Sequence, residues 1–313
     1  MKSNSLERTS LSLPARVRLV EVGPRDGLQN EPGTVSTQTR VSLIDALSDA
    51  GLRNIECGSF VSPKWVPQMA NTQQVFSSIR RVPNVSYSAL VPNLRGFEEA
   101  VQSNVSEVAV FLSASESFSQ ANINCSIEES LRRAEEVLGA ATLLSIPVRG
   151  YVSCVLGCPF SGEVPASNVA RVAQALAILG CYEISLGDTI GVGTPLKAQR
   201  MLDEVAQSAP LGKLAVHYHD TWGQGLANIL ASLAFGIAVV DSAVAGLGGC
   251  PYAPGATGNV ATEDVVYMLD GMGVETGVDL RKVADAGHMI SSALGRRSSS
   301  KAARALEASR ANK

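Results

Sequence analysis

Hydrophobic and polar positions repeat one arrangement along this chain: a short run rich in β-branched residues, a turn, and then a longer stretch with helical periodicity. The runs predict strands at residues 17–22, 54–58, 85–91, 107–112, 148–155, 182–186, 214–219 and 239–244. The longer stretches predict helices at residues 37–50, 93–103, 126–145, 165–179, 195–209, 224–235 and 262–272. Strands that alternate with helices predict right-handed βαβ units and a parallel sheet.

Eight such units favour a single α/β domain of the (β/α)₈ or TIM-barrel class. The alternative is an open, doubly wound sheet, which normally carries a glycine-rich phosphate turn after its first strand. Here that turn reads Gly-Pro-Arg-Asp-Gly at residues 23–27 and lacks the required glycine spacing. We therefore predict a barrel at residues 17–295, a flexible lead-in at residues 1–16 and a basic, helical C-terminal tail at residues 296–313.

Composition changes this picture little. The chain is 45% hydrophobic and 18% charged, with a formal net charge of −3, so it offers no sign of a nucleic-acid partner or an anionic membrane surface. No uncharged apolar stretch reaches the roughly 18 residues of a membrane span. The N-terminal segment has no apolar core like that of a signal peptide. We expect a bacterial cytoplasmic protein, with an organelle matrix as the less favoured alternative.

The six cysteines are sparse for a chain of this length, which favours reduced thiols. Cys154 and Cys158 lie four positions apart beside Pro159. A structural zinc site there is a less favoured alternative, because no second Cys/His pair with zinc-finger spacing accompanies them.

Candidate chemistry collects after the predicted strands, where TIM barrels place their active sites. The polar residues at these strand ends are Arg25, Asp26, Glu56, Asp188, His217, His219 and Asn259. A glycine-rich loop after the eighth strand contains Cys250.

His217 and His219 give the sharpest signal, because residues i and i+2 of a strand point to the same face. The chain has only three histidines, and two of them have this spacing. Together with Asp26 and Asn259 they offer the mixed nitrogen and oxygen ligands of a divalent cation, and this set favours Mg²⁺ or Mn²⁺ over structural zinc. The alternative is a hydrogen-bonded histidine pair without a metal.

The other candidates each have a structural alternative. Arg25 can hold an oxyanion beside the metal or form a salt bridge at the barrel rim. Glu56 and Asp188 can orient a ligand or Arg25, or can stabilise the following turns. Cys250 can transfer a proton from a mobile loop, or can be a small buried apolar residue. The setting of Arg25 and Cys250 favours the functional interpretation of both.

These segments together resemble the 3-hydroxy-3-methylglutaryl-CoA lyase family. The matching stretches are residues 20–31, 60–69, 122–130, 181–195, 215–224 and 244–267, and the similarity extends from about Arg18 to about Lys301. Two positions depart from the family pattern: Tyr218 stands where cysteine is frequent, and Ala243 replaces a common serine. Neither position is an implied ligand.

The resemblance implies a metal-dependent TIM barrel that cleaves an acyl-CoA substrate into acetoacetate and acetyl-CoA, and it suggests a homodimer. It implies that Asp26, His217, His219 and Asn259 hold the divalent cation. It also implies that Arg25 steadies the enolate oxygen, that Glu56 supports the site, that Asp188 is an acid of the active site, and that Cys250 donates or accepts a proton.

Three alternatives stay open at this level. One is a lyase for a longer-chain 3-hydroxyglutaryl-CoA homologue, since pocket shape sets that preference. A second is a Claisen-type condensing synthase, although such enzymes typically carry a further domain. A third is a non-catalytic acyl-CoA or metal-binding scaffold, which the intact set of candidate ligands disfavours.

Overall fold

A closed barrel of eight parallel strands forms the centre of the protein in a computed structural model, which describes residues 12–249 and 258–311. Each strand pairs with the next in sequence, and the eighth pairs with the first. The strands are β1 Arg18–Glu21, β2 Asn54–Ser59, β3 Ser86–Leu90, β4 Glu107–Ser113, β5 Val148–Ser153, β6 Glu183–Asp188, β7 Leu214–Tyr218 and β8 Val239–Ser242. The predicted TIM-barrel class is confirmed, and the open-sheet alternative is wrong.

Helices surround this barrel. They are α1 Thr37–Asp49, α2 Thr72–Ser78, α3 Leu94–Gln102, α4 Glu116–Ile123, α5 Ile127–Leu143, α6 Ala166–Leu179, α7 Pro195–Ala206, α8 Gly225–Phe235, α9 Thr262–Gly271, α10 Leu280–Ala293 and α11 Lys301–Ala311. The sequence did not predict α2, α4 or α10. The first two have only seven and eight residues, too few for a clear period. The third does carry a start signal, because the Asp279 carboxylate accepts the backbone N–H groups of Arg281 and Lys282.

Local sequence explains where several helices begin. At the starts of α1, α3 and α5, the side chains of Ser36, Asn93 and Ser126 each accept a hydrogen bond from the backbone N–H three residues later. Apolar side chains of the strands and of the inner helix faces form one large buried cluster around the barrel. No helix in the described part of the chain is long and apolar enough to cross a membrane.

The two ends of the described chain contact the barrel. Ala15 and Arg16, at the end of the predicted lead-in, pair with Glu275 through a backbone hydrogen bond and an ion pair. At the other end, Ser299 donates its backbone N–H to the carbonyl of Ala245. The residues just before α11 therefore lie against the segment that follows β8.

Candidate metal centre at the barrel mouth

A π-helical turn at residues 23–27 follows β1 and carries two of the candidate residues. The backbone N–H of Gly27 reaches back five residues to the carbonyl of Val22, at 3.1 Å. A Cβ atom on Gly27 would lie 2.6 Å from Cβ of Leu247, so only glycine fits this close approach. Irregular helical turns of this kind are frequent at functional sites. This one directs Arg25 and Asp26 to the mouth of the barrel.

Asp26, His217 and His219 form a cluster with the geometry of a metal site. Each offers a ligand atom, and these atoms lie within 4.8 Å of one another. The Nδ1 atom of His219 is buried and has no hydrogen-bond partner in the protein. A buried, unpartnered imidazole nitrogen is costly unless something else satisfies it. A carboxylate with two imidazoles is a donor set that suits a divalent cation, so these residues fit the implied metal.

Asn259 joins this cluster through the backbone. The chain at residues 258–260 pairs with residues 218–220, so Asn259 lies beside His219. Its Nδ2 atom donates to Oδ2 of Asp26 at 2.9 Å and to the carbonyl of Leu247 at 3.1 Å. The amide oxygen of Asn259 makes neither of these bonds and can act as a ligand.

Charges around the cluster set the protonation states that a metal requires. Burial alone would raise the pKa of Asp26, but the charges of Arg25 and the two histidines lower it to about 2. Burial and the neighbouring His217 lower the pKa of His219 to about 4. At neutral pH the site therefore holds an ionised carboxylate and a neutral imidazole, which are the forms that bind cations.

Arg25 is fixed by three neighbours. Its Nε atom donates to Oε2 of Glu56 at 2.5 Å, and its Nη1 atom donates to Oδ1 of Asp26 at 2.7 Å. Its guanidinium carbon lies 5.5 Å from the ring centroid of Tyr151. Burial opposes the charged form, but the two carboxylates outweigh it and raise the pKa of Arg25. The structure thus places Glu56 behind Arg25 rather than at the metal cluster.

Asp188 occupies a different position from the metal cluster. Its carboxylate accepts the backbone N–H groups of Val192 and Gly193, at 3.2 and 2.8 Å. It thereby closes the turn between β6 and α7. Burial raises its pKa to about 6 despite these hydrogen bonds.

Sequence reasoning missed the residues behind His217. Nδ1 of His217 lies 3.2 Å from Oδ2 of Asp241, a residue of β8. Arg149 of β5 holds the same carboxylate with two hydrogen bonds, at 3.0 and 2.7 Å, and Ser185 donates a third. The available signal was a single charged residue inside each of two otherwise uncharged strands, 148–153 and 239–242. A carboxylate bound to the second nitrogen of a metal-ligating histidine fixes its tautomer and orientation.

The variant Asp241→Asn should lower the affinity for Mn²⁺ about 10- to 100-fold, because His217 loses the anion that orients it. Titration of the metal-free protein with Mn²⁺, read by electron paramagnetic resonance, measures this directly. Asp270→Asn, an exposed aspartate of α9, is the matched control. Equal affinities for Asp241→Asn and the unchanged protein would contradict the orienting role.

A cavity of about 860 Å³ opens above the cluster. Arg25, Asp26, His217 and His219 line it, together with Gly249, the last described residue before the gap in the glycine-rich loop. One wall is apolar and includes Val61, Leu90, Val110, Phe111 and Phe118. The predicted proton-transfer residue Cys250 lies outside the described residues.

Tyr218, which departs from the family pattern, and the two cysteines considered as zinc ligands point away from the metal cluster or lie outside it. The hydroxyl of Tyr218 is 2.9 Å from Oγ of Ser232 in α8, so this side chain points away from the barrel interior. Cys154 and Cys158 are both buried. Within residues 12–249 and 258–311, the group with metal-site geometry is Asp26, His217 and His219, and it includes neither cysteine.

The fold and this cluster together define a TIM-barrel protein with a candidate divalent-metal centre at the carboxyl ends of its strands. The family model described as HMGL-like matches residues 16–290, and the chain belongs to this family. It is 60% identical over 296 residues to a Pseudomonas aeruginosa protein named 3-hydroxy-3-isohexenylglutaryl-CoA/hydroxy-methylglutaryl-CoA lyase, covering 95% of this chain and 99% of that protein.

Two further comparisons agree. The chain is 58% identical over 294 residues to the mitochondrial hydroxymethylglutaryl-CoA lyase of Gallus gallus, covering 94% of this chain and 99% of the relative. The crystal structure of hydroxymethylglutaryl-CoA lyase from Pseudomonas aeruginosa superposes with a TM-score of 0.93 at 60% identity, over 95% of this chain and 99% of that one. Both relatives and the solved structure carry lyase names, which disfavours the synthase and scaffold alternatives.

Proposed function

We propose that this protein is a carbon–carbon lyase that cleaves 3-hydroxy-3-methylglutaryl-CoA into acetoacetate and acetyl-CoA. The observation that carries the proposal is the cluster of Asp26, His217 and His219 beside Arg25, on the wall of one cavity. The cleavage is a retro-Claisen reaction. The tertiary hydroxyl loses its proton while the neighbouring carbon–carbon bond breaks, and the departing thioester enolate then takes up a proton.

Asp26, His217, His219 and Asn259 are the residues we propose to hold the cation, which we expect to be Mg²⁺ or Mn²⁺. A cation held by these residues would lower the pKa of the substrate hydroxyl and fix its orientation. Asp26 or one of the two histidines of the metal cluster is the candidate that accepts the hydroxyl proton. Asn259 keeps Asp26 in place through its amide N–H.

Arg25 is the group we propose to stabilise the enolate oxygen. It stays charged because Glu56 and Asp26 both favour its protonated form. Its contacts with these carboxylates and with Tyr151 hold the guanidinium in one orientation before substrate binds. Fixed charge in a largely dehydrated site stabilises a developing anion better than mobile charge in water. Glu56 acts through Arg25, and Asp188 acts on the turn after β6.

Cys250 is the candidate that protonates the enolate carbon, since it follows Gly249 of the cavity wall. The variant Cys250→Ser should lower kcat about 10²- to 10⁴-fold, because a serine hydroxyl is too weak an acid for the same proton transfer. Steady-state acetoacetate release measures the effect. Cys125→Ser, at a buried cysteine outside the cavity, serves as control. Unchanged turnover in Cys250→Ser would leave Cys250 as a packing residue.

The substrate assignment is tested by comparing two thioesters. Purified protein with Mg²⁺ is given 3-hydroxy-3-methylglutaryl-CoA or its 3-isohexenyl homologue, and kcat/KM is measured for each. We expect the methyl substrate to be cleaved rapidly. A higher kcat/KM for the isohexenyl substrate would support the longer-chain alternative that the Pseudomonas relative's name and the apolar wall suggest. If neither thioester is cleaved, the lyase proposal is contradicted.

A homodimer in the bacterial cytoplasm completes the proposal. High identity to a bacterial relative supports the compartment. Large apolar side chains exposed near the ends of the neighbouring helices α5 and α6, at Leu143, Leu144 and Ile178, support self-association. Light scattering on the purified protein measures the assembly.

A further inference from the structure

The segment from Ala245 to Gly248, which leads from β8 into the glycine-rich loop, has left-handed backbone at three of its four residues. Ala245 has φ +58°, and Gly246 and Gly248 have φ +56° and +106°. Left-handed backbone at a non-glycine residue is costly and persists only when its surroundings hold it. The contacts of this segment therefore decide where it lies.

Two of those contacts connect the segment to the protein core and to the metal cluster. The backbone N–H of Ala245 donates to the buried carboxylate of Glu263, at 3.0 and 2.9 Å from its two oxygens. The carbonyl of Leu247 accepts a hydrogen bond from the amide of Asn259 at 3.1 Å. The same amide nitrogen donates to Asp26. The position of Leu247 is thus coupled to two candidate metal ligands.

A third contact comes from Glu31, which follows the turn that carries Arg25 and Asp26. Its Oε1 atom accepts a hydrogen bond from the backbone N–H of Gly248 at 3.1 Å. The same atom forms an ion pair with Nη2 of Arg296 at 3.0 Å. The Glu31 side chain is only 8% exposed, so this pair is screened far less than a surface ion pair. The carboxylate thereby joins the segment after β1, the segment after β8 and the C-terminal region.

Arg296 reinforces the same connection. Its Nη2 atom also lies within hydrogen-bonding reach of the carbonyls of Ala245 and Gly246, at 3.5 and 3.4 Å. Its side chain is 24% exposed. Glu31 and Arg296 both lie outside the residues that line the large cavity. Among the described residues, their side-chain contacts reach the metal cluster through the backbone of residues 245–248.

We propose that Glu31 and Arg296 are a positioning pair, which sets the backbone of residues 245–248 and through it the metal-site residue Asn259. The expected effect on kcat rests on the proposed function, whereas the expected effect on Mn²⁺ binding does not. The C-terminal segment is then part of the machinery that shapes the metal centre. It is more than a solvated tail, although neither member of the pair touches the reacting atoms.

The test is a double-mutant cycle of Glu31→Gln, Arg296→Gln and the double variant. Each is assayed for the Mn²⁺ dissociation constant of the metal-free protein, by electron paramagnetic resonance, and for kcat and KM. We expect each single variant to weaken Mn²⁺ binding at least threefold and to lower kcat at least tenfold, with KM within twofold. The double variant should bind Mn²⁺ no more weakly, and have a kcat no lower, than the more impaired of the two single variants. Arg296→Lys, which keeps the charge, should recover part of the loss.

Arg304→Gln is the matched control, because it removes one exposed positive charge from α11. Thermal unfolding of every variant separates these effects from loss of fold. Additive effects in the cycle, or Mn²⁺ affinities equal to that of the unchanged protein, would overturn the proposal. A rise in KM confined to Arg296→Gln would also overturn it, because Arg296 would then act on substrate. If the unchanged protein cleaves no thioester, the function proposal fails while the Mn²⁺ arm still tests the pair.

Discussion

Replacing Arg25 by methionine should lower kcat about 10²- to 10³-fold, which is the loss expected when one preorganised charge donor to a developing oxyanion is removed. Arg25 is the cationic group on the cavity wall that directly neighbours Asp26, and Glu56 holds its guanidinium at 2.5 Å. Methionine keeps much of the side-chain length and removes the charge. KM should change far less than kcat, because the interaction strengthens only as the enolate forms.

The fold should tolerate this change. Glu56 loses its arginine partner, but burial already raises the pKa of Glu56, so this carboxyl can take up a proton instead of staying as a buried unpaired charge. Arg81→Met is the control, since Arg81 also lies over aromatic rings, those of Phe76 and Tyr87, but does not line the cavity. Near-normal kcat in Arg25→Met would exclude the proposed role. A collapse of thermal stability without bound substrate would show that Arg25 is mainly structural.

His219→Ala should weaken Mn²⁺ binding at least 100-fold and lower kcat by about three orders of magnitude, because one ligand of the cation is lost. The same variant should keep or slightly increase the thermal stability of the metal-free protein. The reason is that Nδ1 of His219 is buried without a partner, so its removal relieves an unmet hydrogen-bonding requirement. Loss of metal affinity without loss of stability distinguishes a ligand from a core histidine.

His288→Ala is the control for that experiment. His288 is the third histidine of the chain and is exposed on α10. The variant His288→Ala should bind Mn²⁺ and turn over substrate as the unchanged protein does. Normal Mn²⁺ affinity in His219→Ala would contradict the ligand set. A large fall in its metal-free melting temperature would favour the alternative of a hydrogen-bonded histidine pair.

The sequence predicted those parts of this protein that depend on local pattern. Alternating apolar runs and helical stretches predicted all eight strands, because each strand is buried and bounded by turns. The spacing of His217 and His219 predicted one shared face, and the ligand atoms of both lie together with that of Asp26. Strand ends at one edge of a parallel barrel must converge, so residues far apart in sequence could be expected to meet.

Contacts that depend on side-chain direction could not be read from the pattern. Asp188 is the last residue of β6 and Asp26 comes shortly after β1, yet the Asp188 carboxylate turns back onto the amides of residues 192 and 193. The Asp241 carboxylate behind His217 lies 24 positions from it, and Glu31 meets Arg296 across most of the chain. His217 and Asp241 meet because β7 and β8 pair in register. Glu31 and Arg296 meet only when the barrel closes and brings the segment after β1 next to the segments that follow β8.

Release of acetoacetate by metal-stripped protein tests the proposed metal-dependent cleavage most directly. The protein is dialysed against EDTA, freed of chelator and mixed with 3-hydroxy-3-methylglutaryl-CoA, with and without added Mg²⁺ or Mn²⁺. We expect little release without metal and rapid release once either cation is restored. Full activity in protein shown by elemental analysis to contain no metal would contradict the proposal, as would the absence of acetoacetate in the presence of both cations.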